Sequence, residues 1–187
     1  MIYETIVSTL AADGAVHLAP MGVHVDGERF RILPFRPSAT LTNLQARPQA
    51  VINFCDDVRL FAGCLTGRRD WPCRPAEQID GQILLCALSA AEVEVIDIAD
   101  DDVRPAFTCA VRVRHLFRAF NGFNRAQFAV LEAAILVSRL KFLDAAKVRH
   151  DLDYLQTAID KTAGDAEREA WGWLIEHARR YYQENPA

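Results

Sequence analysis

The chain has 187 residues, 51% hydrophobic and 25% charged, which suits one large soluble domain or two small ones. A net charge of -4 argues against a general nucleic-acid binder, which needs a basic face. Met1-Ile2-Tyr3-Glu4 lacks the basic start and apolar run of a signal peptide, and the apolar run Phe128 to Val137 is interrupted by Glu132. That run falls short of the roughly 20 residues a membrane span needs. A cytoplasmic protein with no membrane or nucleic-acid partner is therefore expected.

Ile2 to Leu10 reads as a strand, closed by an Asp13-Gly14 turn. Ala15 to Met21 is a second strand, and Val23-His24-Val25 runs into Asp26-Gly27, a hairpin signal. Arg29 to Leu33 alternates polar and apolar residues on the far side. Pro34 to Pro37 breaks this strand, and Ser38 to Ala46 reads as a short helix with Ser38 as N-cap. Ala50 to Phe54 is an apolar strand, Val58 to Leu65 a strand or short helix, and Gly67 to Gly81 a loop. Ile83 to Leu88, Glu92 to Ile98 and Ala106 to Phe117 are further strands, with Val93, Val95 and Ile96 as inward candidates. After Asn124 the period becomes helical: Phe128, Leu131, Ala134, Ile135 and Ser138 form one stripe. A second helix follows over about 144–161, with Val148, Leu152, Leu155 and Ile159 on one face. Gly164 ends it, and Asp165 caps a third helix with Trp171, Leu174, Ile175 and Ala178 inward. The expected fold is α+β: a β-rich domain over 1–120, then a three-helix C-terminal unit over 121–187.

Cys55, Cys64, Cys73, Cys86 and Cys109 are odd in number and contain no CxxC, so free thiols are expected rather than a disulfide framework or zinc site. The five histidines are scattered with no HxxxH, and no metal centre is expected. Asp56-Asp57 and Asp100 to Asp102 read as turn or surface charges. Gly63 to Arg69 lacks the lysine of a Walker phosphate loop.

Two segments carry chemistry. Arg36, Ser38, Thr40 and Asn43 surround a helix start, where unpaired N–H groups and partial positive charge receive a phosphate. Hydroxyls and a planar guanidinium suit a phosphate monoester. By itself the same pattern is also that of an ordinary capped helix with surface neighbours. His17-Leu18-Ala19-Pro20-Met21-Gly22-Val23 is a strand in which Pro20 removes a ladder donor and Gly22 permits close backbone approach. It reads either as a kinked edge strand or as a strand that presents backbone groups to a flat heterocycle.

The runs HLAPMGV, VDGERFRILPF, RPSATLTNL and AVINFCDDVRLF, with NGFNRAQFAVLEAAILVSRL further on, resemble an uncharacterised prokaryotic family, domain of unknown function 447. The family is similar to the flavin reductase and pyridoxamine-phosphate oxidase split barrels. The resemblance implies a split β-barrel that binds flavin mononucleotide (FMN) at a homodimer interface, followed by the helical unit. By the same resemblance Arg36, Ser38, Thr40 and Asn43 hold the FMN phosphate. The backbone of Ala19, Pro20, Met21, Gly22 and Val23, after His17, lines the ring. Asn53, Cys55 and Asp56 fall on the strand leading to the ring's far side. Asn124 and Arg125 match a family motif that either touches flavin or caps a helix. No reaction is implied. An FMN-dependent oxidoreductase, a non-catalytic flavin carrier or sensor, and a barrel holding another phosphate ligand all stay open. His17 and His24 are candidates for proton handling or for structure, and Cys55 for redox activity or burial. The Arg68, Arg69, Trp71 and Arg74 loop is a candidate cover for the flavin or an anionic substrate.

Overall fold

The structure, a computed structural model, describes residues 1–185. Six antiparallel strands close a barrel in the order β1-β2-β3-β8-β7-β4, and β4 pairs back onto β1. They are β1 (Ile2–Leu10), β2 (Val16–Asp26), β3 (Arg29–Ile32), β4 (Gln49–Phe54), β7 (Ser89–Ala99) and β8 (Ala106–Leu116). β5 (Cys73–Pro75) falls in the segment expected to be a loop and pairs in a separate ladder with β6 (Gln82–Leu84), at the start of the strand expected over Ile83 to Leu88. Alternation fills the barrel. Val7, Val23, Phe30, Ile32, Ala50, Ile52, Val93 and Phe107 form one core, joined by Leu41 and Leu44 of α1 (Ala39–Ala46). Asn43 fastens α1 to β1, its Nδ2 donating to Thr9 Oγ1 at 3.0 Å.

The two strands expected on either side of Gly22 are one: β2 runs unbroken through Pro20 from Val16 to Asp26, paired with β1 along its length. Proline is tolerated because the N–H it lacks would have pointed to the edge away from β1. The hairpin loop is Gly27-Glu28, one residue later than Asp26-Gly27, with Gly27 at φ 60° where a II′ turn requires it. Ile96 lies outward at 48% exposure, because the ladder slips between Val95 and Asp97.

The chain forms two compact units. The first comprises Met1–Cys55 and Trp71–Phe120; the second comprises Asp56–Asp70 and Asn121 onward. The sequence-based division at residue 120 leaves Asp56–Asp70 with the barrel; the structure groups this segment with the helices. The reason is packing. The segment holds α2 (Arg59–Leu65), and Val58 and Ala62 join the core of α3 (Arg125–Val137), α4 (Ala145–Thr162) and α5 (Asp165–Glu184). Arg59 bonds to Asp57 and Glu169 within the same unit.

The face of α3 also differs from the expected stripe. Ala126, Ala129, Val130, Ala133, Ala134 and Val137 are buried, whereas Phe128 is 58% exposed and Ser138 lies outside. A small-residue stripe lets helices approach more closely than a bulky one, so the alanines face α4 and α5. Asn124 caps α3 through Oδ1 and Ala126 N–H, and its Nδ2 donates to Thr162 O. Gly164, not Asp165, is the N-cap of α5. Among the described residues no helix is long and apolar enough to cross a membrane, and no group of side chains could hold a metal ion.

Candidate functional site

Register identifies an open edge on the barrel. Val25 N–H donates to the Met1 carbonyl. Backbone groups at odd positions of β2 therefore turn toward β1, and those at even positions turn away. On that outer edge β3 covers only His24 to Asp26. The N–H and C=O groups of Leu18 and Gly22, and the C=O of Pro20, have no strand neighbour there. Side chains divide by the same parity: Met21, Val23 and Val25 enter the core, while Pro20 and Gly22 face outward. A Cβ on Gly22 would stand 3.0 Å from Ile2 Cγ2 and 3.4 Å from Glu4 Oε1, so a side chain there would press on those of β1.

α1 packs against β1 and β2, the strand that carries the open edge. Its position is set by the acidic turn after β7. Arg36 donates to Asp100 Oδ1 at 3.0 Å and through its backbone N–H to the Val103 carbonyl. Arg104 donates to the Leu33 carbonyl and lies 4.3 Å over the Phe35 ring. Hydrogen bonds from the N–H groups of Arg104 and Val103 hold the Asp101 carboxyl below its ordinary value. Ser38 Oγ accepts from Leu41 N–H at 3.2 Å, as an N-cap should. The N–H groups of Ala39 and Thr40 precede any intrahelical partner. Thr40 is 3% exposed, yet its hydroxyl bonds to no described residue. An anion placed here would meet two N–H groups, two hydroxyls and the positive end of α1.

The remaining expected site residues sit differently. Asn43 spends its amide on Thr9. Asn53 is fully buried: Nδ2 donates to the Ile6 carbonyl at 3.0 Å and Oδ1 accepts from Leu84 N–H at 3.0 Å. Both asparagines fasten elements together. His17 stands opposite Thr9 in the β1–β2 ladder, and Ala19 opposite Val7. Cys55 is half-buried after β4. Asp56 falls in the second compact unit. Burial first, then the charges of Arg31, the N-terminus and Arg104, holds the His24 imidazole below its ordinary value. The arginines around Trp71 turn to neighbours in their own units. Arg68 lies 4.4 Å over the Trp173 ring, and Arg74 lies 4.7 Å over Phe117.

One polar cluster has no counterpart in the sequence reading. Glu92 of β7 is fully buried and accepts from Glu77 N–H at 2.8 Å, Gln78 N–H at 2.7 Å and His115 Nε2 at 2.8 Å. Burial pushes its carboxyl up, but the three bonds outweigh burial and hold it below the ordinary value. His115 stacks on Phe117 with centroids 5.5 Å apart. The cluster clasps the segment after β5 onto the outside of the barrel. The only sequence signal is an acid between Ala91 and Val93 in a strand, where alternation directs it to solvent rather than under a loop.

Comparison with known proteins places this geometry. Two family models match the chain. One is described as the N-terminal domain of a protein of unknown function (DUF447), over residues 3–117; the other as protein of unknown function (DUF447), over residues 124–176. An FMN-bound protein of Methanosarcina mazei from the same family superposes with a TM-score of 0.81 at 22% identity, covering 94% of each chain. A 2-nitrobenzoate 2-nitroreductase of Pseudomonas fluorescens superposes at 0.54 with 22% identity, over 60% of this chain and 64% of that one. An FMN-binding protein of Thermus thermophilus does so at 0.51 with 16% identity, over 61% and 70%. No curated protein matches in sequence.

Proposed function

The chain belongs to the DUF447 family, and we propose that it is an FMN-binding flavoprotein acting as a flavin-reductase-like oxidoreductase. The observation that carries the proposal is the pairing of two unsatisfied features on one barrel: the outer edge of β2 and the start of α1. The phosphate of FMN fits the start of α1. Ala39 N–H, Thr40 N–H and the Thr40 and Ser38 hydroxyls supply donors, and Arg36 adds charge from a half-exposed position. The ring fits the edge of β2, whose Gly22 N–H and Pro20 and Gly22 carbonyls match a heterocycle that both donates and accepts hydrogen bonds. Asn43 and Asn53 do not fit as ligands; they hold α1, β1, β4 and β6 in place. The relatives described above, an FMN-bound protein and a nitroreductase among them, support the same reading.

When bound, the flavin supplies reversible acceptance of a hydride or of electrons, while the protein supplies position and electrostatics. The β2 edge orients the ring, and Gly22 lets it approach the backbone. His24, held neutral by its surroundings, is a poor proton donor there at neutral pH. The reading needs no protein nucleophile.

A homodimer belongs to the proposal. Ile2, Tyr3, Val16 and Phe35 are all more than 40% exposed on β1, β2 and the segment before α1. An open strand edge, with exposed apolar side chains along β1 and β2, is a surface that a second copy would cover. A second copy covering this edge would also shield the ring from water.

Two assays test the proposal. Light scattering of the flavin-loaded protein should give a dimer; a monomer that holds FMN tightly removes the second copy from the site. Stopped-flow mixing with NADH and NADPH should bleach the flavin with at least one of them. A yellow protein inert to both is a carrier or sensor.

A further inference from the structure

In the second unit α4 and α5 both pack on α3, and a groove of about 630 Å³ remains between them. This volume lies within the roughly 300–1,000 Å³ of small-molecule sites. Leu152 and Val148 of α4 and Trp171, Ile175 and Ala178 of α5 make its apolar lining. Gly172 also lines it, in the middle of a 20-residue helix. Glycine weakens a helix interior relative to alanine. Here no close approach requires it, since a Cβ at Gly172 would meet nothing within 4 Å. Its effect is to leave the groove open.

One end of the groove is cationic. Trp171 Nε1 donates to Gln156 Oε1 at 2.9 Å, which sets the antiparallel register of α4 and α5. Two turns from that bond, Arg149 comes level with Arg179. Both line the groove, and neither guanidinium bonds to a described residue. Tyr182 stands at the same end, and its hydroxyl is buried without a partner among the described residues. Nearer the middle, Asp153 and Glu176 flank the groove and would repel a second negative charge.

We propose that this groove is a binding site for an amphipathic monocarboxylate. The carboxylate accepts from Arg149 and Arg179. The uncharged body, about 10 Å long, lies over Leu152 and Ile175 toward Gly172, the rise of two helical turns. The site is built entirely from the second unit and stands whether or not the barrel holds flavin.

Octanoate, titrated into the full-length protein by calorimetry, tests it. Saturable binding at one site per chain is expected, and octylamine, with the same tail and the opposite charge, should not bind. Arg149→Gln combined with Arg179→Gln should weaken octanoate by at least about tenfold, since bonds to a charged group are lost. Gly172→Leu should abolish binding by filling the groove. Gly172 is exposed and leucine is the better helix former, so this variant folds even where the double arginine variant does not. No heat with octanoate, equal binding of octylamine, or unchanged affinity in Gly172→Leu overturns the proposal.

Discussion

Thr40→Val removes one hydroxyl and keeps the shape of the side chain. Thr40 lies in the first turn of α1 at 3% exposure, and its hydroxyl bonds to no described residue. Nothing in the folded barrel therefore depends on that group. Exchanging a hydroxyl that no protein group uses for a methyl of the same shape should leave stability within about 1 kcal/mol of the parent. FMN should respond differently. Loss of a hydrogen bond to a charged phosphate weakens binding by about 1.5–3 kcal/mol. That is roughly 10- to 150-fold in Kd. Riboflavin has no phosphate and should bind both proteins equally. Titration by flavin fluorescence, with both ligands and both proteins, separates the two terms, and urea unfolding of the apoproteins measures stability. An unchanged FMN affinity together with a clear loss of stability would refute the reasoning, because the hydroxyl would then be serving the fold.

Asn53→Ala should destabilise the barrel by about 2–4 kcal/mol, because Leu84 N–H and the Ile6 carbonyl lose their bonds in a buried place. Guanidinium unfolding checks this, and a loss below about 1 kcal/mol would contradict it. Glu92 has a lowered carboxyl pKa, so its contribution to stability is present above the unfolded value near 4.5 and is lost as pH falls through the folded one. Melting curves from pH 7 to pH 3 should show Glu92→Gln less stable than the parent at neutrality, with the gap closing in acid. A gap that stays constant across this range would count against the clasp. Burial pushes the Cys64 thiol up to about 11 and the Cys109 thiol to about 12. Both should resist iodoacetamide at pH 8 in the native protein and react on unfolding, as read by mass spectrometry.

Legibility in the sequence followed the range of the forces. Arg29 to Leu33 was readable because period 2 reports one buried face, and Ala50 to Phe54 because a short apolar run marks a strand buried on both faces. The Ser38 cap was readable because its bond to Leu41 N–H spans three residues. Gly22 misled, because a glycine between two strand-like runs reads as a break, and only register with β1 shows the strand continuing through it. The α3 face misled because bulky Phe128 and Leu131 outweigh alanines in any apolar count, although the alanines allow the closer packing. Asn43 and Asn53 carry the residue types of ligands, but Asn43 bonds to Thr9, 34 residues away, and Asn53 to Leu84 and Ile6, 31 and 47 residues away, beyond local inspection. The Glu92 clasp was invisible for the same reason: its partners come from the segment after β5 and from β8.

The central claim is that the β2 edge and the α1 start together hold FMN. Its most direct test is the visible absorption spectrum of protein purified without added cofactor, followed by the mass of any ligand released on denaturation. The account predicts flavin bands, a mass equal to FMN, and uptake of FMN by any colourless fraction. A colourless protein that takes up no added FMN would contradict it and return the α1 start to a simple helix cap.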